Sequence, residues 1–275
     1  MFRPMKRTGL TLLLLAAGAT PSLAAFGAWV DGERARVRLI AAAVDAEGHV
    51  SAGLQIELDP DWKTYWRSPG DAGIAPVLDF TSSTNIGAVT VRYPVPERHD
   101  DGFTVTNVYE DRVTLPLAAD VPDPKSPGVL RVKLDIGVCA EVCIPEHFEA
   151  SVAFSPAMDD RVVGEELSRA AAGLPGPAIP GVFSVERVWK SGGTDKRPEY
   201  SFDATLPEAG NAQIFVEGPG DWYAGVPVLL GEKGKLATFQ VTFDRARAKT
   251  PEAGARLRFT IISSGRAIEQ TVALD

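Results

Sequence analysis

The chain has 275 residues, 45% of them apolar, and a formal net charge of −8. That length buries a full core without cross-links, and the acidic balance argues against a partner bound through nucleic-acid or anionic-membrane charge. Only 2 cysteines, 3 histidines and 3 methionines are present, which leaves little material for a closed metal centre.

In chain order, the first 25 residues read as an export signal. Arg3, Lys6 and Arg7 precede an apolar run, Leu10 to Ala19, that is too short to span a bilayer as a helix. Ser22-Leu23-Ala24-Ala25 then offers small residues at a cleavage site. No later segment has 18 apolar residues in a row, so the mature chain is expected to have no membrane span and to work in an oxidising compartment, the periplasm.

Short alternating runs follow, each bounded by Gly, Pro, Asp or Asn: 34–43, 50–58, 88–93, 112–117, 129–136 and 147–154. This is the rhythm of an antiparallel β-sandwich. Near residue 158 it changes. Asp159-Asp160 is placed to cap a helix reaching about Ala172, with Val162, Val163, Leu167 and Ala171 on one side. Pro175, Pro177 and Pro180 with their glycines then make a linker. From Val182 the strand rhythm returns, at 183–189, 199–204, 212–216, 236–243, 256–262 and 267–273. The expectation is an all-β chain: a first sandwich over 26–157, a helix and linker over 158–180, and a second, smaller all-β domain over 181–275.

Cys139 and Cys143 sit at a strand–strand connection, in Gly137-Val138-Cys139-Ala140-Glu141-Val142-Cys143-Ile144-Pro145-Glu146. Three readings compete. A structural disulfide closing so small a loop contributes only about 2 kcal/mol in the chain-entropy model. A metal site would add His147 to the two thiolates, and Cu(I) is the ion such soft ligands suit; Pro145 argues against a helix that would align the three. A redox couple fits two thiols this close, since one attacks and the other resolves the mixed disulfide.

The flanking sequence resembles the amino-terminal periplasmic domain of DsbD-type thiol:disulfide interchange proteins, including the related copper-sensitivity protein ScsB. The resemblance is carried by Trp62-Lys63-Thr64-Tyr65-Trp66-Arg67-Ser68-Pro69-Gly70-Asp71-Ala72-Gly73-Ile74, by Asp101-Gly102-Phe103, by Tyr109-Glu110-Asp111-Arg112-Val113-Thr114-Leu115-Pro116-Leu117 and by Cys139 to Glu146. It covers roughly residues 26–157. It implies an immunoglobulin-like sandwich that takes electrons from a membrane relay and reduces disulfides of other exported proteins. By resemblance Cys143 forms the mixed disulfide, Cys139 resolves it, and Phe103 caps the pair, with Asp101 in the same loop. The best-known members have more residues between the cysteines; the short spacing is nearer the ScsB branch. No membrane segment or thioredoxin-like donor domain is seen, so recharging in trans is expected.

Around the pair, Asp101, Glu141 and Glu146 are expected to disfavour the thiolate, and Tyr109 and Pro145 complete the candidate surroundings. Phe103 leads into Thr104-Val105-Thr106-Asn107, read as a polar loop. Trp62, Tyr65 and Trp66 read as core or as a support for the cysteine loop. The sequence has no H-E-x-x-H, phosphate loop or Ser/His/Asp order, and no cofactor is expected. The alternatives are a copper-binding or copper-tolerance protein using Cys139, Cys143 and His147, and a non-catalytic interaction module with a structural disulfide. Gly218-Pro219-Gly220-Asp221-Trp222-Tyr223 reads as a turn without assigned chemistry.

Overall fold

A computed structural model describes residues 25–156, 158 and 161–274. The expected export signal, up to residue 24, and the Asp159-Asp160 helix cap lie outside the described residues.

The first eleven strands are β1 (Val30–Asp31), β2 (Ala35–Val44), β3 (His49–Leu58), β4 (Lys63–Gly70), β5 (Val77–Asp79), β6 (Val89–Val91), β7 (Glu97–Asp100), β8 (Val105–Glu110), β9 (Arg112–Asp120), β10 (Gly128–Cys139) and β11 (Cys143–Phe154). They form two sheets, in the orders β1-β2-β3-β9-β6 and β11-β10-β4-β8-β7, with β5 also paired to β10. Alternation decides the packing. Val37, Leu39, Leu54 and Leu115 of one sheet share a buried core with Leu130, Leu134, Phe148 and Phe154 of the other, while the residues between them face outward.

A helix, α1 (Arg161–Ala172), follows. Val163 and Leu167 pack on Ile40 and Ala42 of the first sandwich. Val162 and Ala171, expected on the same side, are exposed; a short helix resting on an outer sheet face meets it along one narrow line.

The remaining strands are β12 (Gly176–Pro177), β13 (Ser184–Thr194), β14 (Arg197–Thr205), β15 (Ala212–Glu217), β16 (Tyr223–Ala224), β17 (Val228–Lys233), β18 (Leu236–Asp244), β19 (Arg256–Ser263) and β20 (Arg266–Ala273). They make a second pair of sheets, β12-β20-β19-β15 and β13-β14-β18-β16, with β17 also on β18. Phe202, Phe239, Phe259 and Ile261 fill the core between them.

The main correction to the sequence reading concerns β4, β7 and β8. The stretch Thr104–Asn107, read as a polar loop, belongs mostly to β8, whose backbone pairs with β4 and β7. Its polar side chains are satisfied inside the sheet: Thr106 is buried, and the Asn107 amide donates to the Ser68 carbonyl at 2.8 Å. Polar composition there reflects hydrogen bonding rather than exposure.

The two sandwiches meet along a seam organised by Arg67 in the middle of β4. Its guanidinium forms a two-pronged pair with Glu217 (2.9 and 2.7 Å) and also pairs with Glu269. Burial alone would lower the Arg67 pKa, but the hydrogen bond and charge of Glu217, then of Glu269, outweigh it and raise it. Trp66 packs edge-on against Phe215 of β15, with ring centroids 5.6 Å apart. Replacing Arg67 by Ala leaves Glu217 and the partly exposed Glu269 with only Arg258, at 3.9 and 4.0 Å. We expect Arg67→Ala to lose about 1–3 kcal/mol of stability, read by denaturant unfolding; no measurable loss would show that water and Arg258 replace the guanidinium freely.

Candidate functional site

β10 and β11 form one long hairpin, registered without a bulge from Gly128↔Phe154 to Cys139↔Cys143. The turn is the three residues Ala140–Val142, closed by an Ala140 N–H bond to the Val142 carbonyl at 3.0 Å. The last cross-strand pair is therefore the two cysteines themselves, joined as a disulfide with their Cα atoms 4.1 Å apart.

The two sulfurs have unequal surroundings. Cys139 lies on β10, paired on one side to Cys143 and on the other to Lys63 of β4; it is 1% exposed. Cys143 begins β11, an edge strand with no sheet neighbour beyond it among the described residues, and is exposed. Pro145 is tolerated two residues on because β11 is an edge; it lies opposite Gly137 and is exposed.

Tyr65 is the side chain that reaches both sulfurs. Its hydroxyl donates to Cys139 Sγ at 3.1 Å and lies 3.5 Å from Cys143 Sγ. Tyr65, Val108 and Cys139 form a small buried cluster of their own. Gly73 makes this possible: it has φ of 112°, and a Cβ there would come within 2.3 Å of the Tyr65 ring. Burial, then the charge of Asp101, raises the Tyr65 pKa. The phenol thus stays protonated, and a donor, throughout the neutral range. The sequence reading offered Tyr65 only as core or general support; its contact with the sulfurs depends on the β4–β10 pairing, which local pattern does not reveal.

The other expected site residues are placed as follows. Phe103, expected to cap the pair, is 97% exposed at the tip of the β7–β8 turn. The expected cap is therefore not formed in this structure. The tip is held instead by Asp101, whose carboxylate accepts from the N–H groups of Thr104 (2.8 Å) and Phe103 (2.9 Å) and from the Thr104 hydroxyl. Those backbone bonds, Thr104's first, hold the Asp101 carboxyl below the usual carboxylate range. Tyr109 turns into the sandwich core and donates to the Pro94 carbonyl at 2.7 Å, away from the disulfide. Glu141 is exposed in the cysteine turn. Glu146 does not face the pair: its buried carboxylate accepts from the N–H groups of Glu33 and Arg34.

His147 is not brought to the cysteines. Its Nδ1 is 2.5 Å from Asp135 Oδ1, four cross-strand pairs down the hairpin from the cysteines. Among the described residues there is no cluster of three or more His, Cys, Asp or Glu able to hold a metal ion. The strand geometry is the reason: four-residue spacing aligns side chains on a helix but spreads them along a strand.

With this geometry in view, residues 32–153 match the family model described as thiol:disulfide interchange protein DsbD, N-terminal. The first sandwich is a domain of the DsbD N-terminal type. The crystal structure of the N-terminal periplasmic domain of ScsB from Proteus mirabilis is 24% identical, with a TM-score of 0.71 over 91% of this chain and 98% of that one. That match extends the shared fold, immunoglobulin-like and all-β, through the second sandwich. The N-terminal domain of Neisseria meningitidis DsbD in the reduced form is 18% identical over 51% of this chain and 94% of that one, with a TM-score of 0.28. No curated protein matches the sequence.

The Tyr65 hydroxyl sets a test on the reduced protein. A hydrogen bond to a charged group is worth about 1.5–3 kcal/mol, or roughly one to two pKa units. Tyr65→Phe is expected to raise the titration midpoint of Cys139 by about one unit, measured by thiolate absorbance in a Cys143→Ser background. An unmoved midpoint would mean that the phenol supports packing only.

Proposed function

We propose that the chain is a periplasmic thiol–disulfide interchange module that reduces disulfides of other exported proteins, with Cys143 as the attacking thiol and Cys139 as the resolving one. The observation carrying this reading is the inequality of the pair: one sulfur on an open edge, the other between strands and hydrogen-bonded. Attack on a bulky partner disulfide needs access, whereas resolution is intramolecular and needs none.

In the reduced protein the Cys143 thiolate attacks one sulfur of the partner disulfide. A Cys143–partner bond forms, the partner's own S–S bond breaks, and its second sulfur leaves as a thiolate and takes a proton. The Cys139 thiol loses its proton to solvent and attacks Cys143 Sγ. The Cys139–Cys143 bond forms, the mixed disulfide breaks, and the partner departs with both sulfurs reduced. Two electrons have moved, and this chain is left in the disulfide form. Tyr65 donates to Cys139 Sγ in that form, and the same donor stabilises the thiolate before resolution. The sequence holds no third cysteine, so reducing equivalents come from outside these 275 residues, from a membrane relay or a thioredoxin-like protein.

The test is capture. Cys139→Ser is expected to accumulate partner adducts through Cys143 on non-reducing gels, and Cys143→Ser to accumulate none. The absence of adducts in Cys139→Ser, with partner redox state unchanged, would remove the exchange reading and leave the disulfide as a local staple.

A further inference from the structure

The hairpin that carries the two sulfurs also fixes where their backbone points. Val129 of β10 exchanges both of its main-chain bonds with Thr84, at 2.9 and 3.0 Å, on the side away from β11. On that same side the Arg131 N–H bonds to Ser83, and the Gly137 carbonyl accepts the Thr64 hydroxyl. Alternate residues of a strand direct their N–H and C=O the same way. The register runs without a bulge to Cys139↔Cys143, so every second residue from Val129 to Cys139 faces away from β11. Their partners, down to Pro145 and Cys143, face away from β10. The 4.1 Å between the cysteine Cα atoms fits such a pair, which exchanges no bond across the hairpin. Pro145 stands at one of these outward positions, where its missing N–H leaves the hairpin ladder intact.

We propose that the outward edge at Cys143 docks the partner as an added strand: an extended segment carrying the partner's disulfide cysteine lies along β11 and pairs with the Cys143 N–H and C=O. The proposal rests on the interchange reading above and names what that site recognises, which is main chain rather than a side-chain sequence.

Three observations converge. First, the groups are open. Among the described residues no strand lies beyond β11, and Cys143 and Pro145 are both exposed. The Cys143 N–H, the Cys143 carbonyl and the Pro145 carbonyl therefore stand free beside the reacting sulfur, and an unpaired edge of this kind is a template for another chain. Second, the chemistry itself delivers the occupant. A disulfide holds its two Cα atoms about 4.4–6.8 Å apart, and neighbouring strands run about 4.8 Å apart. Forming the Cys143–partner bond thus lays the partner's chain about one strand spacing from the open groups, where main-chain bonds hold an extended peptide.

Third, the open stretch is short and ends in ways that suit a transient complex. Pro145 offers an acceptor and no donor. Farther along, the edge is approached by the chain before β1: a Cβ on Gly27 would come within 2.3 Å of the carbonyl oxygen of Ser151, another outward residue. The Glu146 carboxylate ties the same segment down through the N–H groups of Glu33 and Arg34. A partner strand finds a full pair of bonds at Cys143 and a single one at Pro145. Proline on an edge discourages a long strand from zipping on, and few bonds of modest strength let the reduced partner leave. Bonds to the main chain are the same for most residue types, so the edge accepts many different exported proteins.

The experiment uses the reduced full chain and a pentapeptide whose central cysteine is a mixed disulfide with thionitrobenzoate. The peptide is made plain, or with methyl groups on the amide nitrogens of the residues on both sides of the cysteine. Attack of the Cys143 thiolate on the peptide sulfur forms the Cys143–peptide bond, breaks the mixed disulfide and releases coloured thionitrobenzoate. Glutathione, a thiol without an edge strand, gives the intrinsic rate of each peptide, and the symmetric disulfide of thionitrobenzoate is the small probe. Relative to glutathione, methylation is expected to slow the protein about fivefold, the effect of losing one hydrogen bond. Pro145→Ala, which adds an outward donor, is expected to raise the ratio of peptide to small-probe rates about threefold. Equal slowing of protein and glutathione by methylation, or an unchanged ratio in Pro145→Ala, would overturn the strand docking and leave the interchange reading standing. No release from any probe overturns the interchange reading itself, and the docking with it.

Discussion

Cys139 and Cys143 face each other because the β10–β11 register runs unbroken for the whole length of the hairpin. A slip of one residue would turn every side chain of β11 to the other face. Phe148, Val152 and Phe154 would leave the core, and Cys143 would no longer lie opposite Cys139. The burial of those apolar residues therefore holds the sulfurs in register, and no residue in the turn needs to do so. The same register sets the chemistry: β10 has neighbours on both sides and β11 on one, so one sulfur is enclosed and the other open.

A second constraint is the length of β4. Its beginning lies beside Cys139, its third residue Tyr65 touches both sulfurs, and the next two, Trp66 and Arg67, make the seam with the second sandwich. One strand thus links the disulfide to the seam over a few residues. A buried aromatic contact and a partly shielded Arg–Glu network hold that seam. Such a network is destabilising to break but adds little net stability over an apolar replacement, so its value here is in fixing one relative placement of the sandwiches.

The strand rhythm of the sequence located the long, half-buried strands closely, because alternation is imposed by burial of one face. It failed at β4, β7 and β8. Thr64, Thr106 and Asn107 are polar yet sit inside the sheet, satisfied by hydrogen bonds to residues on neighbouring strands. Glu146 and Tyr109 were misjudged for a related reason: each is adjacent to the site in sequence or motif, but strand alternation points it to another face. Phe103 was expected over the pair, and the hydrogen bonds of Asp101 instead form a turn that leaves it in solvent.

By itself the sequence determined the all-β character, the two stretches of strand rhythm, and a pair of cysteines close enough to exchange. These follow from local pattern and spacing, and the flanking motifs tied the pair to a known kind of domain. Only the tertiary structure decided which sulfur is enclosed, that Tyr65 bonds to it, that His147 stands apart, and that the second sandwich packs on β4 through Trp66 and Arg67. Each of these depends on which strands become neighbours, and strand pairing is set by the burial of side chains far apart in the chain.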